Sequence, residues 1–342
     1  MDISRTSAGR RLAATACATA LAVTAAGCGQ NGDSGGGAAA RYPTRTVQLM
    51  VPAAPGGGWD LTARAMQKAL KDGGQVKENV EVYNVPGAGG TLGLAQLVTK
   101  HRGEPHQIMV MGLVMLGAVV TNKSAVDVTQ TTPIATLTAE AEAIVVPANS
   151  KYQTLKDLVE DWKANPGAVK WGGGSAGGTD QILVGLLAKA AGIDPKAMKY
   201  VGYSGGGETK TGLLSGDLSA AVSGVSEFKD LVAGGKARAL AVSGGKGVDA
   251  GAGKPAPTIK ESGYDVELLN WRGVVAPPGL KDDERKAVVD FVAALHDSPK
   301  WKETLQAQGW EDFYKSGDEA TAYVTSESAR IKTVLADIGL GS

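Results

Sequence analysis

Cysteine is almost missing from this chain of 342 residues: Cys17 and Cys28 are the two present. That excludes a disulfide framework and a thiolate zinc site. Histidine is rare as well. His101, His106 and His296 have no cysteine or carboxylate cluster at ligand spacing, so no metal is expected, and they read as solvated loop or helix-end residues. Net charge is absent, with 35 basic and 35 acidic side chains and no long basic run, which excludes a nucleic-acid binder driven by phosphate neutralisation. Beyond residue 26 no apolar run is long enough to cross a bilayer. A hydrophobic share of 43% excludes wholesale disorder, and the length allows one large or two medium domains. What the chain has in excess is glycine: 48 residues, about twice the usual ~7%, gathered in tight clusters where backbone must approach something closely.

The first residues read as an address. Arg5, Arg10 and Arg11 precede a small, apolar run over 12–26, the layout of a secretory signal and too short for a spanning helix. It ends at Ala25-Ala26-Gly27-Cys28, which resembles the lipobox of bacterial lipoproteins, where the cysteine is lipidated and becomes the first residue. Residues 1–27 are thus expected to be a signal peptide, and 28–40 a lipidated Cys28 with a flexible glycine-rich tether. Two acyl chains give stable anchoring where one is marginal. Two alternatives stay open: twin-arginine export through Arg10-Arg11, and ordinary cleavage near Ala26 with Cys28 incidental.

From residue 41 short apolar runs alternate with helical periodicity, the pattern of an α/β fold. Strands are predicted at 46–51, 80–85, 108–111, 134–137, 144–146, 169–171, 200–203, 218–222, 237–242 and, last, 274–276, with an all-helical tail from Leu280. Thr154 and Asp157 form a capping-box variant that opens a helix bearing Leu155, Leu158, Val159 and Trp162 on one face. One plan occurs four times: strand, glycine-rich loop, helix, with loops starting near 52, 86, 172 and 203. The first N–H groups of a helix are unpaired and carry about half a positive charge, so each such start is a weak anion site worth ~0.3–2 kcal/mol. Four together point to capture of a carboxylate or phosphate; the plain alternative is that glycine merely makes tight β–α turns.

Two enzymatic readings compete. Residues 87–93 (GAGGTLG) approach a dinucleotide fingerprint, but the third glycine falls one place late. Residues 173–177 (GGSAG) satisfy G-x-S-x-G between a strand and a helix, which makes Ser175 a candidate nucleophile of an exported hydrolase. Its triad needs a downstream histidine, and His296 is the one available.

VPAAPGGGWDLTAR (51–64) resembles the first motif of the substrate-binding proteins of tripartite tricarboxylate transporters, and NVPGAGG (84–90) the second. IVVPANS (144–150), GGKARALAV (234–242) and WRGVVAPPG (271–279) follow in the right order, so the resemblance covers essentially residues 42–340. It implies a two-lobed α/β, Venus-flytrap fold of the type II periplasmic-binding-protein class, with a cleft between lobes at 41–144 plus 243–342 and at 145–242. It also implies a receptor, not an enzyme, that holds a small organic acid (a di- or tricarboxylate or a related carboxylate) and delivers it to membrane permease subunits. No cofactor or nucleic acid is involved, and the receptor is expected to act as a monomer. A ligand sensor for a signalling partner is the alternative use of the same fold.

On this resemblance the ligand residues are Pro55, Gly56, Gly57, Gly58 and Asp60 in the first loop and Gly87, Ala88, Gly89, Gly90 and Thr91 in the second. Ser175, Thr179, Tyr203, Gly205 and Gly206 would close from the second lobe. Asp60 is expected to order its loop and pair with Arg64 rather than touch an anion. The chain departs from the family at Ser219 and Ser223, where aspartates are common, at Glu208, where proline often stands, and at the apolar Leu113 to Leu116. These last residues either make the far half of the pocket less polar or simply pack the interior.

Overall fold

The computed structural model describes residues 42–74 and 76–341. The expected signal segment, Cys28 and the tether lie outside these described residues.

The chain opens as parallel α/β units. β1 (Val47–Val51) leads into α1 (Gly58–Asp72), β2 (Val80–Asn84) into α2 (Thr91–Lys100), and β3 (Gln107–Gly112) into α3 (Leu113–Thr121). β1 lies between β2 and β3, with Leu49 opposite both Val82 and Ile108. Leu49, Met50, Met66, Leu70, Leu94 and Leu97 are wholly buried between these strands and helices, each contributing about 1.5–3 kcal/mol of transfer free energy.

β4 (Thr132–Pro147) then runs for 16 residues and organises everything after it. α4 (Leu155–Ala164), β5 (Lys170–Gly173), α5 (Thr179–Ala190), β6 (Lys199–Gly202), α6 (Gly206–Leu214), β7 (Ala220–Gly224), α7 (Val225–Ala233) and β8 (Ala237–Val242) follow. A small hairpin, β9 (Val248–Asp249) with β10 (Pro255–Ala256), precedes β11 (Leu269–Ala276). α8 (Asp282–Asp297), α9 (Pro299–Gln308), β12 (Glu311–Ser316) and α10 (Gly317–Asp337) close the chain.

The strands follow the order β2-β1-β3-β11-β4-β7-β5-β6, with β8 and β12 also on β4. The front of β4 pairs antiparallel with β11 and β12, and its end, from Glu142, with β7 and β8. One strand therefore belongs to both halves of the sheet. The return crossing lies beside it, where Ser243 Oγ accepts the Glu142 N–H at 2.8 Å. Trp162 and Trp171 fill the second half, with ring centroids 4.9 Å apart.

The sequence reading differs from the fold at three places. The strands expected at 134–137 and 144–146 are one strand, because Thr138, Glu140 and Glu142 between them are buried rather than exposed. The tail is not all helical: β12, polar in sequence, adds to β4 through a bulge between Asp312 and Lys315. Two histidines also depart from the solvated reading. His106 is buried, stacked near Tyr42 and accepting the Thr44 N–H at 3.1 Å. His296 is largely covered, stacked on Tyr314 at 3.8 Å between Asp297 and Asp312.

The capping box at α4 is formed. Asp157 N–H donates to Thr154 Oγ1 at 3.2 Å and Thr154 N–H to Asp157 Oδ2 at 2.9 Å. Thr154→Ala is expected to cost about 1 kcal/mol. A urea midpoint unchanged from wild type would show the cap contributes nothing.

Candidate functional site

All four strand–loop–helix units form, and their glycine loops meet. The caps of α1, α2, α5 and α6 are Gly57, Gly90, Gly178 and Gly205, and none supplies a side-chain hydrogen bond to its helix. Acids in the first turns serve the loop backbone instead. Asp60 Oδ2 accepts the Gly56 N–H at 2.9 Å, Asp180 Oδ2 the Gly174 N–H at 2.6 Å, and Glu208 Oε2 the Ser204 N–H at 3.0 Å. Three of the four loops, all but that of α2, are thereby fixed by an acid that bonds the loop backbone rather than the helix cap.

The loops of one half of the sheet face those of the other within van der Waals reach. A Cβ placed on Gly205 would lie 3.9 Å from Gly57 Cα, and one on Gly89 would lie 3.7 Å from Ser175 Cβ. Between them is a cavity of about 280 Å³, near the lower limit for small-molecule sites. Its wall comprises 52–54, 57–59, 86–90, 174–175, 178–180 and 204–206, with Val114, Ser223, Glu227, Asn270 and Arg272. The second loop is the most contorted part: Gly87, Ala88, Gly89 and Gly90 have consecutive positive φ angles of 138°, 50°, 62° and 92°. Such a run turns the backbone, rather than side chains, toward the space.

Of the residues expected from sequence, Gly57, Gly58, Gly87, Ala88, Gly89, Gly90, Ser175, Thr179, Gly205 and Gly206 line the cavity. Pro55, Gly56, Asp60, Thr91 and Tyr203 are not in its wall. Pro55 and Gly56 are on the outer, exposed side of the first turn. Asp60 is buried and holds the loop, taking hydrogen bonds from Gly56 N–H, Arg64 Nε and Asn84 Nδ2. Those bonds and the Arg64 charge outweigh its partial burial and hold its carboxyl below the usual range. The Thr91 hydroxyl donates back to the Ala88 carbonyl at 3.0 Å. Tyr203 bonds through its backbone to Gly173, and its ring packs with the second-half core. Leu113, Met115 and Leu116 pack the interior, and Val114 alone of that run reaches the cavity.

Sequence reasoning missed a buried charge cluster. Arg272, from β11, places Nη1 3.0 Å from Glu140 Oε2, and both side chains are 2% exposed. Glu140 Oε1 also accepts the Ser226 N–H at 2.6 Å, at the start of α7. The guanidinium lies against Gly58, where an added Cβ would come within 2.5 Å of Nη2. Burial pushes Asp180 up to about 6 and Glu227 up to about 7, with Arg272 opposing the rise in each. Burial, then Asp180, raises Glu142 well above the carboxylate range, so that its carboxyl is a hydrogen-bond donor to Asp180. The available signal was a single arginine inside an apolar strand, facing Glu140 and Glu142 within another.

A family model described as the tripartite tricarboxylate transporter family receptor matches residues 62–340. The chain belongs to this family. Among similar proteins, a UPF0065 protein from the gbd 5' region of Cupriavidus necator is 26% identical over 303 residues, covering 88% of this chain and 89% of its own. A solved R. palustris structure with adipate superposes with a TM-score of 0.77 at 24% identity, covering 87% of this chain and 98% of that one. MatC from Rhodopseudomonas palustris with bound malate gives 0.75 at 22% identity, covering 86% and 100%. The fold is thus the two-lobed α/β fold of periplasmic binding proteins. Tripartite tricarboxylate transporter receptors bind solutes and are not enzymes, which removes the hydrolase reading of Ser175. The geometry agrees: the strained backbone of a nucleophile elbow is missing at Ser175, and His296 is held by Asp297 and Asp312. Among the described residues no helix is long and apolar enough to cross a membrane.

Proposed function

We propose that this chain is an extracytoplasmic lipoprotein that captures a small organic acid through backbone N–H groups and presents it to the permease subunits of a tripartite tricarboxylate transporter. Gly57, Gly58 and residues 87–90 receive a carboxylate, while Ser175, Thr179, Gly205 and Gly206 close over it from the other side. The moving bodies are 41–144 plus 243–342 and 145–242, hinged where β4 changes partners. Differential affinity for the closed form drives the closure. Cys28 carries the anchor, and the working unit is a monomer without a cofactor. One observation carries this reading: four helix starts with uncapping glycines face a single cavity. The adipate and malate bound to structural relatives support the ligand class.

A thermal-shift screen of organic acids tests it. A ligand at 100 times its Kd stabilises the folded state by about 2.7 kcal/mol, which raises the melting temperature measurably. Removing one hydroxyl hydrogen bond costs about 0.5–1.5 kcal/mol, so Ser175→Ala is expected to weaken the best acid by only about two- to tenfold. If no carboxylate shifts the transition, the proposed function fails.

A further inference from the structure

We propose that the preferred ligand carries a protonated amine as well as a carboxylate, so that the cavity takes a zwitterion in preference to a di- or tricarboxylate. The proposal rests on the carboxylate reading above and adds a second pole to it. The observation behind it is that the cavity is electrically lopsided. On one side stand the start of α1, whose first-turn Asp60 pairs with Arg64 outside the cavity wall and whose Gly58 lies against the Arg272 guanidinium, and the start of α2, whose first turn holds no acid. On the other side the protein's own carboxylates occupy the helix starts. Asp180 lies in the first turn of α5, and Glu227 presses on the start of α6, where a Cβ on Gly206 would fall 1.7 Å from Oε2.

Asp180 and Glu227 both line the cavity, and no lysine or histidine does. Arg272 offsets them only in part, because Glu140 already pairs with it at 3.0 Å. The groups that face Glu227 are Arg272, Glu140, Asp180, Glu142 and the Ser223 hydroxyl, and those that face Asp180 are the Gly174 N–H, Arg272, Glu142, Glu227 and Tyr200. Like charges repel more strongly in a partly buried site than in water. A second ligand carboxylate at this end meets that repulsion, whereas an ammonium is attracted and holds the acids ionised. With burial raising Asp180 to about 6 and Glu227 to about 7, amine affinity grows as pH rises through that window. A dicarboxylate shows the opposite trend.

Calorimetric titration of the purified chain at neutral pH with matched compounds tests the idea: glutamate against glutarate and N-acetylglutamate, γ-aminobutyrate against butyrate, and putrescine alone. We expect the amine-bearing acid of at least one set to bind more than about tenfold tighter than its amine-free partner, equivalent to about 1.4 kcal/mol. Glu227→Gln and Asp180→Asn, each checked by its melting curve, are expected to narrow that ratio to within about threefold, or about 0.7 kcal/mol. Glutarate or butyrate binding as tightly as its partner overturns the zwitterion and leaves the carboxylate receptor standing. Ratios unchanged in both variants overturn the assignment of the acids. Putrescine binding without any carboxylate overturns the carboxylate reading, and silence from every compound overturns both.

Discussion

Gly89→Leu is expected to give a folded protein whose affinity for the best organic acid has fallen at least about a hundredfold, or about 2.7 kcal/mol. Gly89 has φ +62°, a conformation that costs an L-residue about 1–2 kcal/mol. A Cβ there would also lie 2.5 Å from Ala118 Cβ on α3, closer than carbon atoms tolerate. Ala118 is fully buried and cannot retreat, so the second loop has to move or change its backbone. Either response re-aims the N–H groups of 87–89, that of Gly90 being bonded to the Gly87 carbonyl at 3.0 Å. The leucine side chain meanwhile enters the gap toward Ser175, in a cavity of only about 280 Å³. Gly56→Asn is the matched control. Gly56 also has positive φ, +86°, but nothing lies within 4 Å of its missing Cβ, and asparagine tolerates that region. It is outside the cavity wall, so its variant should bind as wild type does. Equilibrium titration decides: Gly89→Leu binding within threefold of wild type would falsify capture by this loop.

The four loops were legible because two independent signals coincide there, a change from strand to helix period and a cluster of glycines. Their convergence was legible only through resemblance, since nothing local says that Gly57 and Gly205, 148 positions apart, face one another. The charge cluster was obscured for a physical reason. Glu140 and Glu142 alternate with alanines in β4, a pattern that reads as a solvated face or a loop. Glu140 is buried because neighbouring β11 brings the Arg272 guanidinium to within 3.0 Å of it, and a partner 132 positions away leaves no periodicity. The same blindness split β4 into two strands. Tyr203 and Thr91 show the converse error: polar side chains in a glycine loop look available, yet each turns into its own loop or core.

Arg272→Met should destabilise the protein by about 3–5 kcal/mol at neutral pH, because it leaves Glu140 buried beside the acids that Arg272 now offsets. Methionine keeps much of the volume, so the loss reports charge rather than a cavity. Adding Glu140→Gln should restore much of it, since an absent pair is far cheaper than a broken one. The pH dependence supplies a second test. Glu227 has its pKa raised to about 7 from an ordinary 4.5, first by burial and with Arg272 opposing. Between those values the folded state holds a proton that the unfolded state has released. Stability from this group is therefore highest below 4.5 and declines as pH rises to about 7, by about 3 kcal/mol in all. Asp180 acts in the same direction with its rise to about 6. His106 opposes them, since burial lowers its pKa and folding gains as pH rises toward 6.5. Comparison with Glu227→Gln isolates the acid: its urea midpoint should vary less between mildly acidic and mildly alkaline buffer than that of wild type. In Arg272→Met, where the guanidinium no longer opposes burial, the decline should continue to higher pH and be larger in total. An arginine variant as stable as wild type, with the same pH profile, would mean that the guanidinium neither holds the buried acids nor sets the polarity of the cavity.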